Sequence, residues 1–110
     1  MNYDHGEPGS QLLADEQKDI PPIDIKGLMD SRGADYGPPP ENFETTAKLW
    51  QVWADRRWPN SNITYTDVDV ASMLDLVKTA RLANSPKHRD SWMDKGGYAG
   101  CAIECLEADE

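Results

Sequence analysis

Apolar residues recur at three- and four-residue spacings in four stretches of this chain, and that period predicts helices. The cleanest stretch puts Val70, Met73, Leu74 and Val77 on one stripe, which predicts a helix over about residues 67–82. Thr66 and Asp69 stand before it in the form of a capping box. Phe43, Ala47, Trp50 and Ala54, widened by Leu49 and Trp53, predict a helix over about 41–57, begun at Pro40 or Glu41 and ended by Trp58-Pro59. Ile25, Leu28, Met29 and Arg32 predict a short one over about 24–32, stopped by Gly33. In the last helix, about 88–106, Trp92, Ala99, Ile103 and Leu106 form the expected core face. Gly96, Gly97 and Gly100 inside it cost roughly 2–3 kcal/mol in helix propensity, so close helix packing or close ligand approach must offset them.

The connectors complete the outline. Gly37 and Pro38-Pro39-Pro40 make a stiff link that fixes the angle between two helices. Ile63 to Tyr65 reads as extended, and the turn Ala83-Asn84-Ser85-Pro86 folds the third and fourth helices into an antiparallel pair. Residues 1–22 have no apolar period beyond Leu12-Leu13 and predict a flexible, disordered acidic arm. Residues 23–110 then form a single all-α domain of four helices.

Composition narrows the partners. The 110 residues suffice for one modest core, and 11 basic against 20 acidic side chains give a net charge of -9. That balance argues against a nucleic-acid backbone or an anionic membrane as the main partner. No apolar run approaches the roughly 20 residues of a membrane span, and the start MNYDHGEPGSQ lacks a signal-peptide pattern, so a cytoplasmic location is expected. Cys101 and Cys105 are expected as buried thiols, since their spacing rarely allows a disulfide and no zinc pattern accompanies them. Trp50 and Trp53 are expected in the core or in a subunit interface, and with the glycine-rich last helix they point to a homo-oligomer.

The densest chemistry lies in the last two helices. Asp90 and Asp94 are one turn apart, Tyr98 is one turn further, and Lys78 and Arg81 sit on the preceding helix. Glu41 and Glu44 form a second acidic pair. Four such carboxylates suit a Mg²⁺ shared with substrate phosphates, Lys78 and Arg81 suit the phosphate charge, and the implied reaction is attack of a metal-activated water on a phosphoanhydride. Each group also has an ordinary role. Glu41, Glu44 and Asp90 complement helix dipoles, and the spacing of Asp75, Lys78 and Thr79 is that of a solvated helix face. No nucleophile motif or glycine-rich phosphate loop is present.

The ordered series Arg32-x-x-x-Tyr36-Gly37, Glu41-Asn42-Phe43, Leu49-Trp50, Asp69-Val70-Ala71, Lys78-x-x-Arg81-Leu82, Asp90-Ser91-Trp92-Met93-Asp94 and Gly97-Tyr98-Ala99 resembles a family of small phage and prophage proteins. That family is described only as a domain of unknown function, and the resemblance covers about Leu28 to Leu106. It is distantly similar to the MazG-like all-α nucleotide pyrophosphohydrolases, which bind Mg²⁺ through acidic helix motifs. The resemblance implies a four-helix MazG-like arrangement. In it Glu41, Glu44, Asp90 and Asp94 would hold Mg²⁺, and Arg32, Tyr36, Asn42, Lys78 and Arg81 would bind a nucleotide. Glu44, Asp94 and Tyr98 would act in catalysis, with Tyr98 positioning water or sugar. Here, however, the two acidic pairs are separated by a whole helix, and the second has the longer spacing Asp90-x-x-x-Asp94. Two other readings stand beside it: a non-catalytic phage protein that binds a host protein through its acidity and tryptophans, and a nucleotide-binding protein without hydrolysis.

Overall fold

Capping chemistry and proline set where each helix of the computed structural model begins; the structure describes residues 22–109. The arm expected over residues 1–22 lies, but for its last residue, outside them. Helix α1, Ile25–Tyr36, starts at Asp24, whose carboxylate accepts the Gly27 N–H at 2.8 Å. Helix α2, Pro39–Arg57, starts on prolines, whose missing donors cost nothing in a first turn. Helix α3, Asp67–Asn84, carries the predicted capping box: Thr66 N–H donates to Asp69 at 2.8 Å, and Asp69 N–H to Thr66 Oγ1 at 3.3 Å. Helix α4, Arg89–Ala108, is capped by His88, whose Nδ1 accepts the Ser91 N–H at 3.3 Å and lies 2.7 Å from Ser91 Oγ. The described chain is all-α, with four helices and no strand.

One boundary differs from expectation by a full turn. Gly33 does not stop α1; the helix runs on to Tyr36 and ends at Gly37, which has φ 84° and donates to the Gly33 carbonyl at 2.8 Å. A left-handed turn there needs glycine, and the prolines that follow cannot extend a helix. The segment Ile63 to Tyr65 is extended but pairs with no strand. Instead the Gln51 side chain of α2 donates to the Ile63 carbonyl at 2.9 Å and accepts the Tyr65 N–H at 2.8 Å.

The core gathers Phe43 and Ala47 of α2, Val70 and Ala71 of α3 and Cys105 of α4, with Trp50 edge-on to Tyr65 at 5.7 Å beside it. Helices α3 and α4 make the most extensive contact, antiparallel as predicted, and α1 rests across α4. The α4 glycines explain how. A Cβ at Gly96 would stand 2.8 Å from Ile25 Cδ1, one at Gly97 would touch Leu28, and one at Gly100 would run into Met29 Sδ. Close helix packing is therefore what offsets their propensity cost.

The core face of α4 is not the predicted one. Trp92, Ile103 and Leu106 are each more than half exposed, and Ala99 is exposed with them. The buried line runs through Ser91, Gly97 and Cys105, flanked by Asp94, Tyr98 and Cys101. Small and glycine positions on that line let α1, α2 and α3 approach closely, and this outweighs the greater apolar area of the other stripe. On α3, Val70 and Leu74 pack inward, whereas Met73 and Val77 face out. Trp53 is likewise exposed, its ring edge-on to Trp58 at 5.2 Å.

Candidate functional site

The antiparallel register of α3 and α4 fixes which charges meet. Lys78 Nζ lies 2.7 Å from Asp94 Oδ2, both side chains largely withdrawn from solvent. One turn away the polarity reverses: Lys95 Nζ of α4 reaches Asp75 Oδ2 at 3.0 Å and Thr79 Oγ1 at 2.6 Å on α3. The local pairing of Asp75 with Lys78 along one helix is thus replaced by two cross-helix pairs. Sequence spacing alone missed Lys95, although the register that joins Lys78 to Asp94 also dictates Asp75 to Lys95.

Helix α1 adds the third charge. Its extension past Gly33 keeps Arg32 and Tyr36 on one helix, and Arg32 Nη2 comes within 3.6 Å of Asp94 Oδ1. A hydrogen bond to Tyr36 and the nearby Asp94 carboxylate hold the Arg32 pKa above its ordinary value. One carboxylate on α4 therefore faces a cation from α3 and another from α1.

These groups border a pocket of about 250 Å³ where all four helices meet. Its apolar floor is made by Leu28 and Met29 of α1, Phe43 of α2 and Cys101 of α4; its polar rim is Arg32, Tyr36, Asn42, Lys78, Asp94 and Tyr98. An apolar concavity with a few convergent polar groups is the usual form of a small-molecule site. Six of the residues singled out in the sequence thus line one pocket. The floor was not legible, because Leu28, Met29 and Phe43 read as ordinary core.

The remaining candidates stand elsewhere. Arg81 and Asp90 are exposed, Glu41 lies exposed in the first turn of α2, and Glu44 pairs with Lys48 at 2.9 Å on the solvent side of that helix. Of the four carboxylates expected to hold Mg²⁺, only Asp94 borders the pocket, where it is already matched by cations. No group of three or more His, Cys, Asp or Glu among the described residues is placed to hold a metal ion. The four-carboxylate set therefore does not come together within one chain. Neither cysteine is in a disulfide, and Cys105 is fully buried. Among the described residues no helix is long and apolar enough to cross a membrane.

A family model described as "Domain of unknown function (DUF6378)" matches residues 25–106, from the first residue of α1 to the end region of α4. The "Gene 55 protein" of Mycobacterium phage D29 is 39% identical over 76 residues, covering 69% of this chain and 46% of that protein. The "Gene 55 protein" of Mycobacterium phage L5 is 38% identical over 79 residues, covering 72% of this chain and 46% of that protein. The chain thus spans about half the length of the curated relatives it matches. No solved structure matches.

Proposed function

The chain belongs to the DUF6378 family and is similar to two mycobacteriophage proteins, and on that footing we propose that its four-helix pocket binds a small phosphate-bearing ligand, a nucleotide. The observation that carries this is the convergence of Lys78 and Arg32 on a single carboxylate, Asp94. Two cations against one anion leave the pocket wall one positive charge in excess, in a chain of net charge -9. An ammonium carries three donors, so Lys78 has donors left for phosphate oxygens beyond its bond to Asp94. Arg32 sits at the rim and offers its planar fork to the same group. Leu28, Met29 and Phe43 give a base or sugar an apolar bed, and the Tyr98 hydroxyl and Asn42 amide supply polar contacts.

Hydrolysis of the bound nucleotide to release pyrophosphate is the finer form of this reading. Calorimetric titration of the full chain with nucleoside triphosphates, with and without Mg²⁺, tests binding, and a pyrophosphate assay on the same mixtures tests hydrolysis. Binding that weakens at least about tenfold in Lys78→Met supports the site, as expected for loss of a charge-assisted contact. No binding of any nucleotide under either condition would sink it.

A second reading, capture of a host protein, draws on one observation: Trp53 and Trp58 are exposed as an edge-on pair, with the Arg57 guanidinium 5.4 Å from the Trp58 ring centroid. Exposed tryptophan beside arginine is the composition of a binding hot spot. If this reading holds, a host protein retained by the wild-type chain is lost with Trp53→Ser while nucleotide titration is silent.

A further inference from the structure

The stripe of α4 that the core leaves uncovered is self-complementary. Trp92, Ala99 and Leu106 follow one another at seven-residue intervals, with Ile103 between the last two, so they share one face of the helix. That face is exposed along its length, each of its three large side chains by more than half. We propose that α4 of one copy packs antiparallel on α4 of a second copy of this chain, about a two-fold axis at Ala99.

Symmetry makes the match. A two-fold at Ala99 sets Trp92, seven residues before it, against Leu106 of the other copy, seven residues after it. Ala99 meets Ala99 at the axis, where a methyl group lets the two helices approach closely, while the bulky pairs fill the space on either side. The same operation sets Lys95 and Ile103, four residues before and after Ala99, at one level across the axis, with the Lys95 ammonium already held on α3 by Asp75 and Thr79.

Charge supports the same orientation and opposes the parallel one. Around the start of α4 stand Lys87 and Arg89 with one acid, Asp90, and near its end stand Glu104, Glu107 and Asp109 with no base. The antiparallel pair brings the basic end of each copy to the acidic end of the other and sets the helix dipoles head to tail. A parallel pair would oppose like ends. Asp94, Gly97 and Cys101 line the pocket from the far side of α4 and Tyr98 lies about a quarter-turn from Ala99, so pairing leaves the pocket open.

Sedimentation equilibrium of the full chain tests the oligomer, and site-directed crosslinking tests its geometry. The wild-type chain is expected to be a dimer at micromolar concentration. Ala99→Glu, which places two carboxylates at the axis, is expected to raise the dimer Kd at least about 100-fold with an unchanged circular dichroism spectrum. Because a substitution at a packed position can also disturb folding, cysteine pairs supply a second readout against the wild-type background of Cys101 and Cys105. Ala99→Cys should link to its own copy under mild oxidation. Leu106→Cys, seven residues or about 10 Å along the helix from the axis, should not link to itself but should link to Trp92→Cys. A wild-type chain that sediments as a monomer overturns the proposal. So does a dimer that survives Ala99→Glu, or one in which Leu106→Cys links to itself as readily as Ala99→Cys.

Discussion

Lys78 Nζ and Asp94 Oδ2 lie 2.7 Å apart across α3 and α4, with side chains only 11% and 18% exposed. A pair this withdrawn from water costs more to break than to build, because either partner left alone keeps a desolvated charge. Asp94→Asn is therefore expected to lower unfolding free energy by about 2 kcal/mol, since it also removes the ion-pair partner of Arg32. The double substitution Lys78→Met with Asp94→Leu should recover much of that loss. Urea denaturation of Lys78→Met, Asp94→Leu and the double gives the coupling, and strict additivity would show that the pair contributes nothing to the fold.

Gly33 of α1 and Gly100 of α4 are expected to respond differently to the same substitution. A Cβ at Gly33, in the interior of α1, meets nothing within 4 Å, so Gly33→Ala should raise stability by about 0.5–1 kcal/mol. Gly100→Ala gains the same propensity but drives its Cβ into Met29 Sδ, so the thioether packed between α1 and α4 must turn aside. Thermal melts should place Gly100→Ala below Gly33→Ala by at least about 1 kcal/mol. Equal stabilisation would mean that Met29 moves aside at no cost.

Burial, with the Asp67 carboxylate beside it, pushes the Cys105 thiol from 9.0 up to about 11. The folded state then binds this proton more tightly than the unfolded state does. The contribution to stability is thus fully present below about pH 9 and is lost as pH rises toward about 11. The loss amounts to roughly 2–3 kcal/mol at about 1.4 kcal/mol per unit. Tyrosines and lysines titrate in the same range, so the informative quantity is the difference between wild type and Cys105→Ala. The steeper alkaline decline of the wild-type chain should disappear in the variant.

What could be read in advance divides along physical lines. Thr66 and Asp69 form the capping box their spacing announces, because a cap is an interaction within four residues. Gly33 and Gly37 show where local reading runs short. Both are glycines after an apolar period, but the left-handed turn sits at the one followed by prolines. At the site, Lys78, Asp94 and Tyr98 were legible as one cluster because an antiparallel pair with a short turn has a narrow choice of registers. Arg32 and Tyr36 joined them only because α1 lies across the α4 glycines. Glu41 and Glu44 did not, since the rotation of α2 that buries Phe43 and Ala47 turns both carboxylates to solvent.

By itself the sequence determined that the described chain is four helices, where most of them start, and that α3 and α4 fold back on each other. Period, caps and prolines act over a few residues and need no neighbour. Only the tertiary structure decided which face of each helix is inside. On α4 two stripes compete, Trp92 with Ala99, Ile103 and Leu106 against Ser91 with Tyr98, Cys101 and Cys105, and apolar content favours the first. The second is buried because helices pack where their backbones can come close, and glycine and small side chains on that side admit α1, α2 and α3 together.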